Sequence, residues 1–171
     1  TMKTIKQNNK NMKLQAMIMA AALTTAVSVQ AQNGKYISKV YDFRPAPGQF
    51  VNEIPEWEEG DTETTMIAKA EEQISGGTDN GMISLGGFGG YVVFGFDHRV
   101  VNVSGQSDFM VYGNAVYDLV DANYASSEPG IVMVSVDANG NGLPDDEWYE
   151  LAGSDYNAAN TYHGYQITYE K

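Results

Sequence analysis

The stretch VDANGNGLPDDEWYEL (residues 136–151) crowds oxygen-bearing side chains between two apolar segments. Asp137, Asn139 and Asn141 stand at alternate positions, a glycine follows, and Asp145 comes shortly after. Calcium is a hard cation that takes about six to eight oxygen ligands, and a loop can wrap it when side-chain oxygens alternate and a glycine permits a sharp turn. The spacing therefore predicts a calcium site.

This stretch matches the first half of the calcium loop found between two helices, D-x-N-x-N-G, but departs from its second half. The last position of that loop is a bidentate glutamate, and here it is Trp148, so Asp146 or Glu147 has to replace it. The flanks also have the composition of strands. The predicted metal ligands, including the Leu143 carbonyl, are Asp137, Asn139, Asn141, Leu143, Asp145, Asp146 and Glu147.

The same residues also suit an ordinary hairpin loop. Asn, Gly and Asp are the residues that turns use, and Asp and Asn side chains satisfy local backbone groups without a metal. An ordinary turn, however, does not need four crowded carboxylates, because like charges repel unless a cation intervenes. A hairpin loop and a calcium site are compatible, and both interpretations stay open.

Aromatic side chains close to this loop suggest a binding surface. Planar rings with polar tips make platforms for sugars or flat organic ligands when they are exposed. On a strand, half of such rings face the core instead, so their number alone is weak support. The predicted ligand-binding residues are Trp148, Tyr149, Tyr156 and Tyr124.

Other patterns give no catalytic assignment. The glycine-rich run LGGFGGYVVFGF lacks G-K-[ST] and precedes a strand, which argues against a nucleotide site. His98 and His163 have no neighbouring nucleophile in a recognisable catalytic order. A glycosidase pair of carboxylates stays open, since only the separation of the two groups in space is diagnostic. We therefore predict no catalytic residue and a non-enzymatic role.

The elements that must position these residues are mostly strands. Helical spacing of apolar residues in TTMIAKAEEQISGG predicts one helix, with N-caps among residues 61–64 and an end at Gly76–Gly77. Short runs rich in Val, Ile, Tyr and Phe predict seven strands from residue 81 onward. They lie at residues 81–85, 90–97, 100–104, 108–114, 130–137, 147–153 and 165–170.

This pattern predicts a mostly β fold, an antiparallel β-sandwich of jelly-roll type with one short covering helix. We expect the sandwich domain to span residues 63–171, after an N-terminal extension with an acidic loop at residues 32–62. The chain ends in an apparent strand, YQITYEK, which suggests a domain truncated at its C-terminus.

Residues 1–31 have the pattern of a signal peptide. Four lysines precede an apolar run of about 16 residues, and Val-Gln-Ala at 29–31 provides the small residues of a cleavage site. A membrane-spanning helix needs roughly 20 residues. We therefore expect export and no membrane-spanning segment.

The charge of the remaining chain limits its partners. After Ala31 there are six basic and 22 acidic residues, a formal net charge of −16. Nucleic acid is excluded as a partner, since phosphate binding needs a basic face. The chain has no cysteine, so it forms no disulfide and lacks the cysteine that carries the lipid of a bacterial lipoprotein.

Three stretches, residues 86–105, 107–115 and 126–156, resemble a group of exported cell-surface proteins of Bacteroides-type gut bacteria that are associated with PKD-like domains. The resemblance covers roughly residues 64–171, and EPGIVMVSVDANGNGLPDDEWYELAGSDY is its most specific part. It implies a β-sandwich of the kind seen in carbohydrate-binding modules, placed at the cell surface. Some relatives are similar to accessory proteins of outer-membrane transporters, including those for vitamin B12.

The combined expectation is an exported module, stabilised by Ca²⁺, that recognises a glycan or a similar small organic ligand. Its expected location is the cell surface or the extracellular space, and the periplasm stays open as an alternative. The alternatives are an accessory protein that captures cobalamin beside an outer-membrane transporter, a glycoside hydrolase, and a purely structural surface protein.

Overall fold

The computed structural model describes residues 34–77, 81–121 and 123–170. Lys35–Lys171 forms one compact unit. The predicted signal peptide, residues 1–31, lies outside the described residues. Within the described part of the chain, no helix is long and apolar enough to cross a membrane.

The described residues form six strands and one helix: β1 (Lys39–Arg44), α1 (Glu63–Ile74), β2 (Tyr91–Gly95), β3 (Asn114–Tyr117), β4 (Ala125–Glu128), β5 (Met133–Ser135) and β6 (Trp148–Glu150). The strands pair as β1–β2, β3–β4 and β5–β6, and every pair is antiparallel. The prediction of a mostly β, antiparallel fold with one short helix is confirmed. The sheets are small and none is closed, and face-to-face packing of two sheets is not among the contacts between the described elements.

The helix begins and ends as its sequence predicts. Thr62 is the N-cap: its hydroxyl accepts from the Thr65 backbone N–H at 3.3 Å, and the Thr65 hydroxyl accepts from the Thr62 N–H at 2.8 Å. This reciprocal pair satisfies donors that a helix leaves free in its first turn. At the other end Gly76 and Gly77 have positive φ angles of 70° and 77°, which glycine adopts without steric cost.

The core lies between α1 and the β1–β2 pair. Val40, Phe43 and Ala70 are buried to 4% exposure or less. Partly buried apolar side chains surround them: Met66, Ile67, Ile74, Ile83, Leu85, Val92 and Phe94. The apolar stripe of the helix therefore covers this sheet, and residues 39–44, from the predicted N-terminal extension, supply one of its two strands.

A β-bulge in β1 is held by the helix. The register of β1 against β2 shifts between Val40 and Asp42. The backbone N–H of Val40 donates to the Glu71 carboxylate at 2.8 Å. A side chain of α1 thereby satisfies a backbone donor of the irregular strand and joins the two elements.

The acidic loop before the helix is fastened by one lysine. The Lys69 ammonium donates to the Asp61 carboxylate at 2.8 Å, to Glu58 at 2.9 Å and to the Glu56 carbonyl at 3.0 Å. The hydrogen bond from Lys69 lowers the pKa of Asp61 to about 2, with a further contribution from the Glu58 backbone N–H. The hydrogen bonds to the Asp61 and Glu58 carboxylates raise the pKa of Lys69.

Several strand predictions were wrong. Residues 81–85, 100–104, 108–113 and 165–170 form no strand, although their composition favours one. A strand needs a neighbour that completes its hydrogen-bond ladder, and these segments have none within the described residues. The predictions over residues 90–97, 130–137 and 147–153 are confirmed in part, since each contains a shorter strand.

The β3–β4 hairpin was not predicted at all. Its second strand, Ala-Ser-Ser-Glu, has no apolar alternation that would indicate a strand. At its tip the Asp118 carboxylate accepts from the backbone N–H groups of Val120 and Asp121 at 2.7 and 3.0 Å, and these bonds lower the pKa of Asp118. The turn they fix leaves Leu119 and Val120 almost fully exposed.

Candidate metal-binding loop and aromatic surface

The predicted calcium loop connects β5 to β6. The two strands pair Met133 with Glu150 and Ser135 with Trp148, and the Leu151 N–H extends the ladder to the Val132 carbonyl at 2.9 Å. Residues 136–147 therefore close a hairpin whose ends are fixed by backbone hydrogen bonds. The expectation that strands flank the loop is confirmed.

Asp137 organises the first half of the loop. One of its carboxylate oxygens accepts from the Asn141 N–H at 3.0 Å, and the other accepts from the Gly142 N–H at 3.0 Å. The Asn139 amide oxygen also accepts from the Asn141 N–H, at 2.9 Å. The chain therefore curls around Asp137 and Asn139.

Asp145 closes the same loop from its second half. Its carboxylate accepts from the Asn139 amide nitrogen at 3.3 Å and from the Asn141 amide nitrogen at 3.2 and 3.0 Å. Four of the seven predicted ligands, Asp137, Asn139, Asn141 and Asp145, therefore converge. We call these four residues the oxygen cluster.

Two glycines give the backbone the curvature that this convergence needs. Gly140 and Gly142 have φ angles of +73° and +74°, a region that L side chains rarely adopt. The Leu143 N–H then donates to the Asn141 amide oxygen at 2.7 Å. The alternation of Asn and Gly in the sequence is thus the direct cause of the tight loop.

The remaining predicted ligands take other positions. The Asp146 carboxylate accepts from the Ala138 N–H at 3.1 Å, and this bond links the two ends of the loop. The Glu147 carboxylate accepts from the Tyr149 hydroxyl at 2.7 Å. The Leu143 side chain is exposed, and only its backbone N–H is tied to the loop. Glu147 is therefore engaged with β6 and is separate from the oxygen cluster.

The donor chemistry of the oxygen cluster fits calcium. Carboxylate and amide oxygens are hard ligands. Both oxygens of Asp137 and one oxygen of Asp145 accept a single N–H and keep a lone pair, whereas the other oxygen of Asp145 accepts from two amide nitrogens. Rotation of the Asn139 and Asn141 amide groups exchanges nitrogen for oxygen, which would turn both amide oxygens toward an ion beside Asp145. In addition, no described ion pair involves a carboxylate of this loop.

The cluster carries only two carboxylates. Among the described residues, no group of three or more His, Cys, Asp or Glu side chains is arranged to hold a metal ion. A cation here would thus depend on the two amide oxygens and on backbone carbonyls or water. Because calcium affinity rises with the number of charged ligands, this composition fits a weak site with a dissociation constant of about 10⁻⁴–10⁻³ M, as in extracellular modules.

Trp148 and Tyr149 begin β6 directly after the loop. The Trp148 indole N–H donates to the Pro144 carbonyl at 3.3 Å, which ties the ring to the backbone beside Asp145. Tyr149 is 55% exposed. Its hydrogen bond to the Glu147 carboxylate raises the pKa of its hydroxyl, since the anion stabilises the protonated phenol.

The other two predicted ligand-binding residues lie elsewhere. The Tyr156 ring packs on His163 with 4.6 Å between ring centroids, and a nitrogen of the His163 ring lies 2.8 Å from the Tyr156 carbonyl. Tyr124 lies in the β3–β4 hairpin, beside a shallow concavity of about 240 Å³. No described contact joins Tyr124 or Tyr156 to Trp148 or Tyr149, so the structure groups only the latter two residues with the loop.

Two contacts in this region were not predicted from the sequence. The Pro144 carbonyl accepts the Trp148 indole N–H, and His163 covers Tyr156. The proline immediately before the acidic pair was the available signal for the first, because it fixes the backbone there. No sequence signal indicated the second. Neither the protein-family models nor the curated proteins give a match to this chain.

Proposed function

We propose that this protein is an exported cell-surface binding module of a Bacteroides-type bacterium, stabilised by calcium, that recognises a glycan or a similar organic ligand. The observation that carries the proposal is the convergence of Asp137, Asn139, Asn141 and Asp145 in a hairpin loop that leads directly into Trp148 and Tyr149. The predicted signal peptide and the resemblance described above support export to the surface.

Calcium would act by fixing the hairpin. An ion held by the oxygen cluster offsets the charges of Asp137 and Asp145 and links the two halves of the loop. The Trp148 bond to the Pro144 carbonyl then transmits this order to β6. Ordering a flexible loop on binding costs free energy, and a loop that is already rigid avoids this cost. Calcium should therefore increase the affinity for the ligand without contacting it.

The exposed Tyr149 ring provides the contact surface in this proposal. An aromatic face stacks on the apolar face of a sugar, while polar groups beside it bind hydroxyls. The Glu147 carboxylate already accepts from the Tyr149 hydroxyl and can accept from a sugar hydroxyl as well. Tyr149 and Glu147 are therefore the pair that we expect to touch the ligand.

A glycan array, probed with the purified chain in calcium and again in chelator, tests this function. We expect binding that weakens in chelator and is lost in Tyr149→Ala. The matched control is Tyr162→Ala, which removes an exposed tyrosine distant in sequence from the loop. A titration with cobalamin and an assay for polysaccharide hydrolysis complete the test. Binding of cobalamin alone, hydrolysis of a glycan, or no ligand in any assay would each contradict the proposal.

A further inference from the structure

The oxygen cluster contains two asparagines that are each followed by glycine. Asn139-Gly140 and Asn141-Gly142 are adjacent copies of the same dipeptide. Asn-Gly is the dipeptide in which the backbone nitrogen of the second residue most easily attacks the side-chain amide of the first, because glycine has no side chain to obstruct the approach. The two copies share this local chemistry, so any difference between them must come from the folded loop.

At Asn141 the fold restrains the reacting groups. The attacking atom would be the Gly142 nitrogen, and its N–H donates to the Asp137 carboxylate at 3.0 Å. A hydrogen bond to an anion holds this proton in place and opposes formation of the nitrogen nucleophile. The leaving groups differ less, since the Asn141 amide nitrogen donates to both oxygens of Asp145 and the Asn139 amide nitrogen donates to one of them.

At Asn139 the nucleophile has no such restraint. No described residue accepts from the Gly140 N–H, so solvent base can remove its proton. The space around the two glycines does not distinguish the sites, because a Cβ built on Gly140 or on Gly142 would meet nothing within 4 Å. The Asn139 amide oxygen accepts from the Asn141 N–H at 2.9 Å and the Asn141 amide oxygen accepts from the Leu143 N–H at 2.7 Å, and each donor stabilises the negative charge that develops on its oxygen during attack. The difference between the two sites is therefore the hydrogen bond from the Gly142 N–H to Asp137.

We propose that Asn139 is a site of spontaneous deamidation and that the fold protects its neighbour Asn141. The Gly140 nitrogen loses its proton to solvent and bonds to the Asn139 side-chain carbonyl carbon. The carbon–nitrogen bond of the amide breaks, and the nitrogen leaves as ammonia. Water then opens the cyclic imide at either carbonyl, giving aspartate or isoaspartate at residue 139. The net reaction consumes one water and releases one ammonia.

The product changes the chemistry of the loop. Each deamidated chain gains one negative charge in the oxygen cluster, beside Asp145. Aspartate at residue 139 would provide a third carboxylate in the oxygen cluster, beside Asp137 and Asp145, whereas isoaspartate would lengthen the backbone between residue 139 and Gly140. The modification therefore gives two forms of the loop that differ in charge or in length from the newly made protein.

Peptide mapping by mass spectrometry tests the inference. The full chain is incubated in mildly alkaline buffer with chelator, digested in acid, and fragmented to assign each change to one asparagine. We expect deamidation at Asn139 to be roughly tenfold faster than at Asn141, the factor that one hydrogen bond to a charged group contributes. In denaturant the two rates should converge. Equal rates in the folded chain, or a faster Asn141, would overturn the inference.

Two variants identify the cause of the protection. Asp137→Ala removes the acceptor of the Gly142 N–H, so deamidation of Asn141 should accelerate toward the rate of Asn139. Asp155→Ala removes a carboxylate that makes no described side-chain hydrogen bond, and it should leave both rates unchanged. An unchanged Asn141 rate in Asp137→Ala would refute the protective role of that bond. Because chelator is present throughout, the result is independent of calcium binding.

Discussion

The side chains of the oxygen cluster have unequal roles, although the sequence presents them as one run of polar residues. Asp137 accepts from the backbone N–H groups of the loop, Asp145 accepts from its asparagine side chains, and Asn141 donates to both carboxylates. Glu147 lies only two residues beyond Asp145 but contacts Tyr149. The structure thus separates residues that organise the loop from a residue that belongs to the adjacent aromatic surface.

Glu147→Gln should leave the calcium response intact. The Glu147 carboxylate is engaged with Tyr149 and not with the oxygen cluster, so its loss removes no ligand. We expect the calcium-dependent rise in melting temperature to match that of the original chain within error. Asp145→Asn is the companion variant, and it should weaken the response. Loss of the response in Glu147→Gln would show that Glu147 is a ligand.

Of the elements, the helix is predicted best from the sequence. Its N-cap residue, the spacing of its apolar residues and the glycines after its last turn all indicate the same helix. Thr62 is the cap, and Gly76–Gly77 follows the end of the helix. The apolar stripe that packs on the sheet consists of the buried Ala70 and the partly buried Met66, Ile67 and Ile74. The strands are less predictable, because a strand depends on a partner that can lie far away in the chain. β1 precedes the helix in the chain and β2 follows it, and nothing in the sequence of either strand specifies that the two pair.

The N-cap gives a direct test at the helix. Thr62→Ala removes the acceptor of the Thr65 N–H and should lower the free energy of unfolding by about 1 kcal/mol. Thr64→Ala replaces a neighbouring exposed threonine without altering the cap and should change stability by less than about 0.5 kcal/mol. Chemical denaturation measures both. Equal effects of the two variants would contradict the assignment of Thr62 as the cap.

The contact between the helix and the β-bulge gives a second test. Glu71→Ala leaves the buried Val40 N–H without its acceptor, and such a loss costs about 1–3 kcal/mol of stability. Glu72→Ala is the matched control, since the exposed Glu72 makes no described side-chain hydrogen bond and should have an effect below about 0.5 kcal/mol. A Glu71 variant as stable as its control would show that the bond contributes nothing.

Across the whole molecule, the sequence indicated the fold class and the location of the loop but not the arrangement of the sheets. Composition and turn residues specify strands, whereas the packing of one pair on another depends on contacts between distant segments. Trp148 and Tyr149 lie beside the loop because they follow it directly in the chain. Tyr124 and Tyr156 were predicted to bind the same ligand only because they are tyrosines. No described contact joins either of them to Trp148 or Tyr149.

Acid stability should depend on the Lys69–Asp61 ion pair. The pKa of Asp61 is lowered to about 2 in the folded chain, whereas an ordinary aspartate has a pKa of about 4. The ion pair therefore stabilises the fold fully at a pH above about 4, and this stabilisation is lost as the pH falls toward 2. We expect Lys69→Met to reduce the free energy of unfolding at neutral pH, and the difference from the original chain to shrink between about pH 4 and pH 2.

Denaturation across a pH series measures that difference. Lys35→Met is the matched control, because Lys35 is exposed and makes no described ion pair. Its difference from the original chain should not vary over this range. A pH-independent difference for Lys69→Met would show that the ion pair does not control acid stability.

The account depends most on whether the oxygen cluster binds calcium, and isothermal titration calorimetry with Ca²⁺ measures this directly. We expect one ion per chain, a dissociation constant of about 10⁻⁴–10⁻³ M, and no binding by Asp137→Ala. Asp155→Ala should bind like the original chain. At free calcium about 100 times the dissociation constant, the fold should gain about 2.7 kcal/mol of stability. No binding at millimolar calcium, or equal binding by Asp137→Ala, would contradict the account.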